Sequence, residues 1–159
     1  MLLIVITLLG LTSMRRAIMQ ERMAANTIAR GKAFQAAEAG LRQAEIIARD
    51  GAPSFPSSGC ADGLCAMPKP NVDPPWAAGD FWSKGAFREG KTVGSGDGAI
   101  TPRFVIEDFG ATVNGGGAGE GIDMSKPPPE TTEQSVFRIT SQAMTPNGVE
   151  VVVQSLYRR

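Results

Sequence analysis

The first fifty residues contain no proline and consist mostly of residues that favour helices. They predict one helix from about Leu2 to Asp50, followed by Gly51 as a C-cap and Pro53 as a stop. Such a helix is about 75 Å long at 1.5 Å per residue. A domain of about 100 residues is much narrower than that. The helix therefore has to extend beyond any domain that this chain can build.

The helix begins with the almost wholly apolar stretch MLLIVITLLGL, and Arg15 and Arg16 follow shortly after it. This stretch covers about 16 Å, roughly half of a bilayer core. We interpret it as part of a membrane segment rather than as a cap buried in a core, because nothing downstream offers it enough apolar surface. The residues expected to mediate membrane insertion and assembly are Leu2, Leu3, Ile4, Val5, Ile6, Leu8, Leu9 and Leu11.

The second half of the helix carries a narrow apolar stripe at spacings of three and four residues, which is typical of a helix packed on a domain. Two pairs, Glu38 with Arg42 and Glu45 with Arg49, are spaced to form ion pairs along its side. The residues expected to pack against the domain are Phe34, Ala37, Leu41, Ala44 and Ala48.

The remainder, residues 51–159, predicts one domain that is loop-rich over 51–101 and contains strands within 102–159. The expected strands are 103–109, 135–143 and 148–157. The last two should form a hairpin around Thr145-Pro146-Asn147-Gly148, and Gly110–Glu133 is expected to be an exposed loop. The fold class is therefore α+β, with one long N-terminal helix packed on a small antiparallel sheet.

Cys60 and Cys65 are the only cysteines, and four residues separate them. They can close a small disulfide loop, but without histidine or further cysteines they cannot complete a four-ligand zinc site. We predict a disulfide between them, which implies an oxidising compartment such as the periplasm.

The composition argues against several classes of function. The chain has no histidine, the commonest general base and metal ligand, and its 16 basic residues equal its 16 acidic ones. The glycines at 115–117 lack the lysine and hydroxyl residue of a phosphate loop. We therefore expect no enzyme activity, no cofactor, no metal and no nucleic-acid partner. Trp76, Phe81 and Trp82 are interpreted as packing over the sheet, with a platform for a ligand or carbohydrate as the alternative.

Three stretches together resemble the PilX family of type IV minor pilins. The first is residues 7–45, in which the most characteristic segments are Glu21–Asn26 and Ala33–Ala39. The second is Pro102–Glu107. The third is the ending, Phe137–Thr140 followed by Val151–Arg159.

This resemblance implies a pilin fold and a subunit held by one span in the inner membrane, with its C-terminal domain in the periplasm, before it enters the pilus on the cell surface. It implies other minor pilins, the major pilin, a tip adhesin and the inner-membrane assembly platform as partners. Twitching motility and attachment would depend on it. The basic leader and the glutamate near the mature start that such pilins carry have no counterpart here, so the resemblance is to an N-terminally truncated form.

Two alternatives stay open from the sequence. One is a type II secretion pseudopilin, which has the same architecture. The other is a membrane-anchored periplasmic binding or adhesin domain that does not polymerise, in which the aromatic loop from Trp76 to Trp82 would bind a ligand.

Overall fold

A computed structural model describes residues 2–51, 53–114 and 132–159 of the chain. The longest element is the helix α1, Leu2–Asp50, with 49 residues. The amide of Gly51 donates to the carbonyl of Ile47 at 3.0 Å, where the helix ends. A single turn of helix, α2, spans Phe81–Lys84.

The described residues form one sheet of six strands. Three are two-residue strands: β1 (Cys60–Ala61), β2 (Leu64–Cys65) and β3 (Arg88–Glu89). Three are long: β4 (Arg103–Asn114), β5 (Thr132–Met144) and β6 (Glu150–Arg158). The strand order is β1-β2-β4-β5-β6, and β3 also pairs with β4. The β2–β4 pairing is parallel and the others are antiparallel, so the sheet is mixed.

The second half of α1 crosses one face of this sheet. The helix contributes small residues to the contact and the sheet contributes large ones, which lets the two elements approach closely. The buried helix residues are Ala33, Ala36, Ala37, Gly40, Leu41, Ala44 and Ala48; facing them are Phe104, Ile106, Phe137 and Ile139. The α+β fold class predicted from the sequence, a long helix on a small sheet, is confirmed.

Phe34 does not occupy the buried stripe where the sequence placed it. Its side chain is 48% exposed, and it lies beside Val151–Val153 at the edge of the sheet. Ala33 and Ala37 face the sheet at this level of the helix, and both are fully buried. Phe34 is rotated about 100° from Ala33 around the helix axis, so it projects past the last strand.

The predicted hairpin is confirmed, because β5 and β6 pair from Val136–Arg158 to Met144–Glu150. The turn between them is closed by the Thr145 amide, which donates to the carbonyl of Val149 at 2.9 Å. Gly148 has a φ of +81° there, a conformation that glycine adopts without strain.

The expected exposed loop from Gly110 to Glu133 is wrong at both ends. β4 continues to Asn114 and β5 already begins at Thr132; residues 115–131 lie outside the described part. Gly110 does not end the strand, because its φ of +87° accommodates a register shift between Asp108 and Ala111.

The helix ion pairs expected from spacing are also not the ones that form. Arg49 pairs with the adjacent Asp50 at 2.7 Å, and Glu45 accepts a hydrogen bond from Ser155 of β6 at 3.2 Å. Docking on the sheet thus gives Glu45 a partner that sequence spacing does not show.

Candidate functional site

The N-terminal half of α1 extends beyond the domain. Every residue from 13 to 28 is exposed. Five large apolar side chains in this stretch are 51–69% exposed, namely Met14, Ile18, Met19, Met23 and Ile28. Because isolated exposed apolar residues are common but such a series on one element is not, this half of the helix is the first candidate interaction surface.

The same half of the helix is basic. Arg15, Arg16, Arg22 and Arg30 project from it, together with the single acidic residue Glu21. None of the five forms an ion pair with another described residue. Their charges are therefore available to a partner.

The side chains expected to mediate membrane insertion fall at the start of this helix. The structure places all eight residues within α1. It describes the side chain of one of them, Ile6, which is 56% exposed. Within the described residues, no helix is both long and apolar enough to cross a bilayer.

Two grooves flank α1 where it leaves the domain. One, of about 320 Å³, lies between Ala25–Ala29 and the β5–β6 turn at Pro146. The other, of about 450 Å³, lies between Thr27–Phe34 and strand β6 at Val151–Val153. Small side chains on the helix, such as Ala25 and Ala29, make the first groove possible.

The predicted disulfide between Cys60 and Cys65 is present, with 2.04 Å between the sulfurs. It closes the β1–β2 hairpin against β4, and Cys65 is 1% exposed. At the tip of the hairpin Asp62 forms an ion pair with Arg88. The amide of Gly63 donates to Ala86 and its carbonyl accepts from Ile106, at 2.7 and 2.8 Å. The hairpin therefore joins the loop region to the central strand.

Replacing Cys60 with serine and Cys65 with alanine is expected to lower the free energy of unfolding by about 2 kcal/mol, the chain-entropy value for so short a loop. Urea unfolding of the full chain measures this, with the unmodified chain under reducing conditions as the matched comparison. A loss below about 0.5 kcal/mol, the range of neutral surface changes, would contradict a stabilising role.

A buried ion pair lies on the face of the sheet opposite α1. The Arg138 guanidinium on β5 donates to both carboxylate oxygens of Glu107 on β4, at 2.7 and 2.9 Å. The side chain of Glu107 is only 1% exposed. The hydrogen bond to Glu107 raises the pKa of Arg138 above its ordinary value, against the lowering effect of burial. The guanidinium of Arg138 therefore keeps its positive charge.

Trp76 completes this cluster. Its indole N–H donates to the Glu107 carboxylate at 2.8 Å, and the guanidinium of Arg138 lies 5.7 Å from its ring centre. The ring of Phe109 lies 5.0 Å from the same guanidinium. The cluster holds the loop that carries Trp76 on the outer face of the sheet. Packing, the first interpretation of this tryptophan, is thus what the structure shows.

Sequence reasoning missed the role of Glu107 and Arg138. Their contact depends on the β4–β5 register, which places the two residues directly opposite each other. The one available signal was that Glu107 follows the apolar run Phe104–Ile106 and that Arg138 lies between the apolar residues Phe137 and Ile139.

Comparison with known families shows the same two parts that the fold does. The model described as PilX N-terminal matches residues 1–42, and the model described as type IV pilus assembly protein PilX C-term matches residues 57–159. The chain belongs to the PilX family. No curated protein and no solved structure matches it.

Membership of the PilX family makes this chain a type IV pilus assembly protein, as the three resembling stretches indicated. The PilX N-terminal match includes the whole exposed half of α1, and the C-terminal match includes the complete described sheet. The exposed basic and apolar helix is therefore a feature of a pilus protein, in which subunits contact one another.

Proposed function

We propose that this chain is a non-enzymatic minor pilin whose exposed helix half inserts it first into the inner membrane and then into the pilus. Its partners are other minor pilins, the major pilin, a tip adhesin and the inner-membrane assembly platform. Pilus biogenesis, and through it twitching motility and attachment, depends on this subunit. The observation that carries the proposal is the continuous exposure of residues 13–28 in a helix whose other half is docked.

The apolar start of α1 is covered by different molecules before and after assembly. In the membrane, lipid covers the apolar residues from Leu2 to Leu11, and in the pilus the helices of neighbouring subunits replace the lipid. Because both environments are apolar, the exchange is nearly neutral in apolar burial, and helix packing drives association. The transfer between the two sites therefore needs no refolding of the domain.

The basic residues of the exposed half give this association its register. Arg15, Arg16, Arg22 and Arg30 have no ion-pair partner among the described residues and are available for carboxylates of neighbouring subunits. Complementary charges orient a contact and exclude wrong partners more than they add affinity. A single exposed ion pair contributes little binding energy, so the four arginines are expected to act together.

Replacing Leu11 with aspartate is expected to abolish pilus formation. A carboxylate there opposes burial by lipid or by a neighbouring helix, at a cost of up to about 2.5–3.5 kcal/mol per subunit, the value at the centre of a span. Pili are counted by electron microscopy on cells that carry only the variant, and immunoblots of membrane fractions report how much subunit is present. Two controls bracket the effect: Leu11→Ile keeps the apolar surface, and Gln35→Asp places the same charge on the exposed side of the docked half.

Normal piliation by the Leu11→Asp variant would overturn the proposal. Loss of the variant from the membrane while pili still form would point instead to an anchored domain that does not polymerise. Retention in the membrane with loss of pili is the result that specifically supports a role in assembly.

A further inference from the structure

Strand β6 forms an edge of the sheet that no other described strand covers. β5 pairs with it from Glu150 to Arg158 without a register shift, and its other side is unpaired in the described part of the chain. Native proteins usually protect such an edge with proline, lysine or a bulge. From Val151 to Tyr157 the strand reads VVVQSLY, with no proline and no charge. The edge is therefore open to pairing with another strand.

Apolar surface lies along the same edge. Val152 and Leu156 are 44% and 66% exposed on the face away from α1. On the helix side, Phe34 is 48% exposed beside Val151–Val153, in the groove of about 450 Å³. Both sides of the free backbone edge thus carry side chains that a second strand would cover.

The two ends of β6 carry opposite charges at equal distances from its centre. Glu150 and Arg158 each lie four residues from Gln154, and all three lie on the outer face. Glu150 accepts a hydrogen bond from the Gln142 amide at 3.2 Å. Neither Glu150 nor Arg158 forms an ion pair with any described residue. Two copies of β6 that run antiparallel to each other are therefore complementary in charge.

We propose that β6 pairs antiparallel with β6 of a second copy of this chain, with Gln154 on the two-fold axis. Glu150 then lies opposite Arg158 of the partner subunit, and Val152 lies opposite Leu156 of the partner subunit. Gln154 meets the partner subunit's Gln154, so the two amides can exchange hydrogen bonds. Every cross-strand pair on the outer face is favourable. The Glu150–Arg158 and Val152–Leu156 pairs each occur twice because of the symmetry, and the Gln154 pair occurs once, on the axis.

Other arrangements lose these pairs. A parallel alignment places Glu150 beside the partner subunit's Glu150 and Arg158 beside the partner subunit's Arg158, and like charges opposite each other destabilise a sheet. Moving the axis to Val153 places Glu150 opposite Leu156 of the partner subunit, and moving it to Ser155 places Arg158 opposite Val152 of the partner subunit, so the pair between Glu150 and Arg158 is lost in both cases. The charge pattern thus selects one register.

This contact is separate from the assembly surface of the proposed function, because it uses the sheet edge rather than the exposed half of α1. The two-fold axis stands perpendicular to the continuous sheet, which places both helices on the same face and antiparallel. The exposed helix halves then extend in opposite directions and stay uncovered by the pairing, so the contact joins subunits of opposite orientation and not two subunits anchored side by side in one membrane.

Disulfide trapping tests the register directly. In full-length chain solubilised in detergent, Gln154→Cys is expected to form a covalent dimer on mild oxidation, because the two thiols face each other across the axis at a spacing that a disulfide spans. Val152→Cys and Leu156→Cys are matched controls that should stay monomeric alone and crosslink when mixed. The native cysteines are already bonded to each other and do not compete.

Equal crosslinking by all three single variants would overturn the proposal, since it would reflect random collision. So would an adduct of Gln154→Cys with another protein in place of a dimer, which would make the edge a site for a different subunit. These outcomes do not depend on pilus formation, so a failure here is distinct from a failure of the proposed function.

A charge exchange provides a test that leaves Gln154 and its hydrogen bond to Thr140 intact. Arg158→Glu is expected to weaken self-association roughly tenfold at low salt, since two opposite-charge pairs become like-charge pairs. Adding Glu150→Arg to the same chain should restore it. Sedimentation velocity measures the dimer fraction, and an unchanged thermal unfolding profile shows that each variant is folded. Failure of the double variant to recover would contradict the register.

Discussion

Arg138→Met is expected to lower the free energy of unfolding by about 3–5 kcal/mol, the usual cost of leaving one member of a buried ion pair without its partner. The carboxylate of Glu107 is almost wholly removed from solvent and keeps only the indole N–H of Trp76 when the guanidinium is gone. Methionine retains much of the volume, so the loss is electrostatic rather than a cavity effect. Urea unfolding of the full chain measures the change.

Two further variants make this expectation specific. Arg88→Met removes the exposed ion pair with Asp62, whose side chain is 78% exposed, and should cost less than about 1 kcal/mol. Combining Arg138→Met with Glu107→Leu should recover a large part of the loss, because no buried charge is then left unpaired. Equal losses for Arg138→Met and Arg88→Met would show that the buried pair has no special role.

Gly40→Ala is expected to destabilise the fold by about 1–3 kcal/mol, the usual cost of overpacking a core. A Cβ at this position would lie 2.6 Å from Oγ of Ser141 and 2.7 Å from Cβ of Pro102. Both neighbours are fully buried, so they have little room to move. The helix would have to withdraw from the sheet, and thermal unfolding of the full chain would report it.

Gly31→Ala is the matched control in the same helix. A Cβ there meets no atom within 4 Å, so the substitution should stabilise the helix by up to about 1 kcal/mol through propensity alone. The two glycines are therefore expected to respond with opposite signs. A gain in stability for both would mean that the close approach at Gly40 is easily relieved.

The parts of the fold that depend on local pattern could be predicted from the sequence. The three-and-four spacing of Ala37, Leu41, Ala44 and Ala48 identifies the docked face of α1, and all four are buried. The turn at Thr145–Gly148 identifies the hairpin in the same way. Phe34 continues that spacing, but its burial depends on where the sheet ends, which is not a local property.

The parts that depend on distant pairing could not be predicted. β1, β2 and β3 have two residues each, too few to show alternation. β2 and β3 form because they pair with β4, and β1 forms because it pairs with β2. The Glu107–Arg138 pair requires the β4–β5 register. Gly110 looks like a stop signal because glycine usually interrupts strands, whereas here its backbone freedom keeps the strand going.

Because α1 is continuous and is held only at its docked end, a small tilt at the sheet causes a large displacement of its far end. From Ala33 to Leu2 it extends about 47 Å without a proline, so it bends only gently. A tilt of about 10° at the docked end displaces the far tip by about 8 Å, on the same rise per residue. Angstrom-scale packing at Gly40 therefore sets where the opposite end of the molecule points, and small changes in the domain core are magnified at the distant tip.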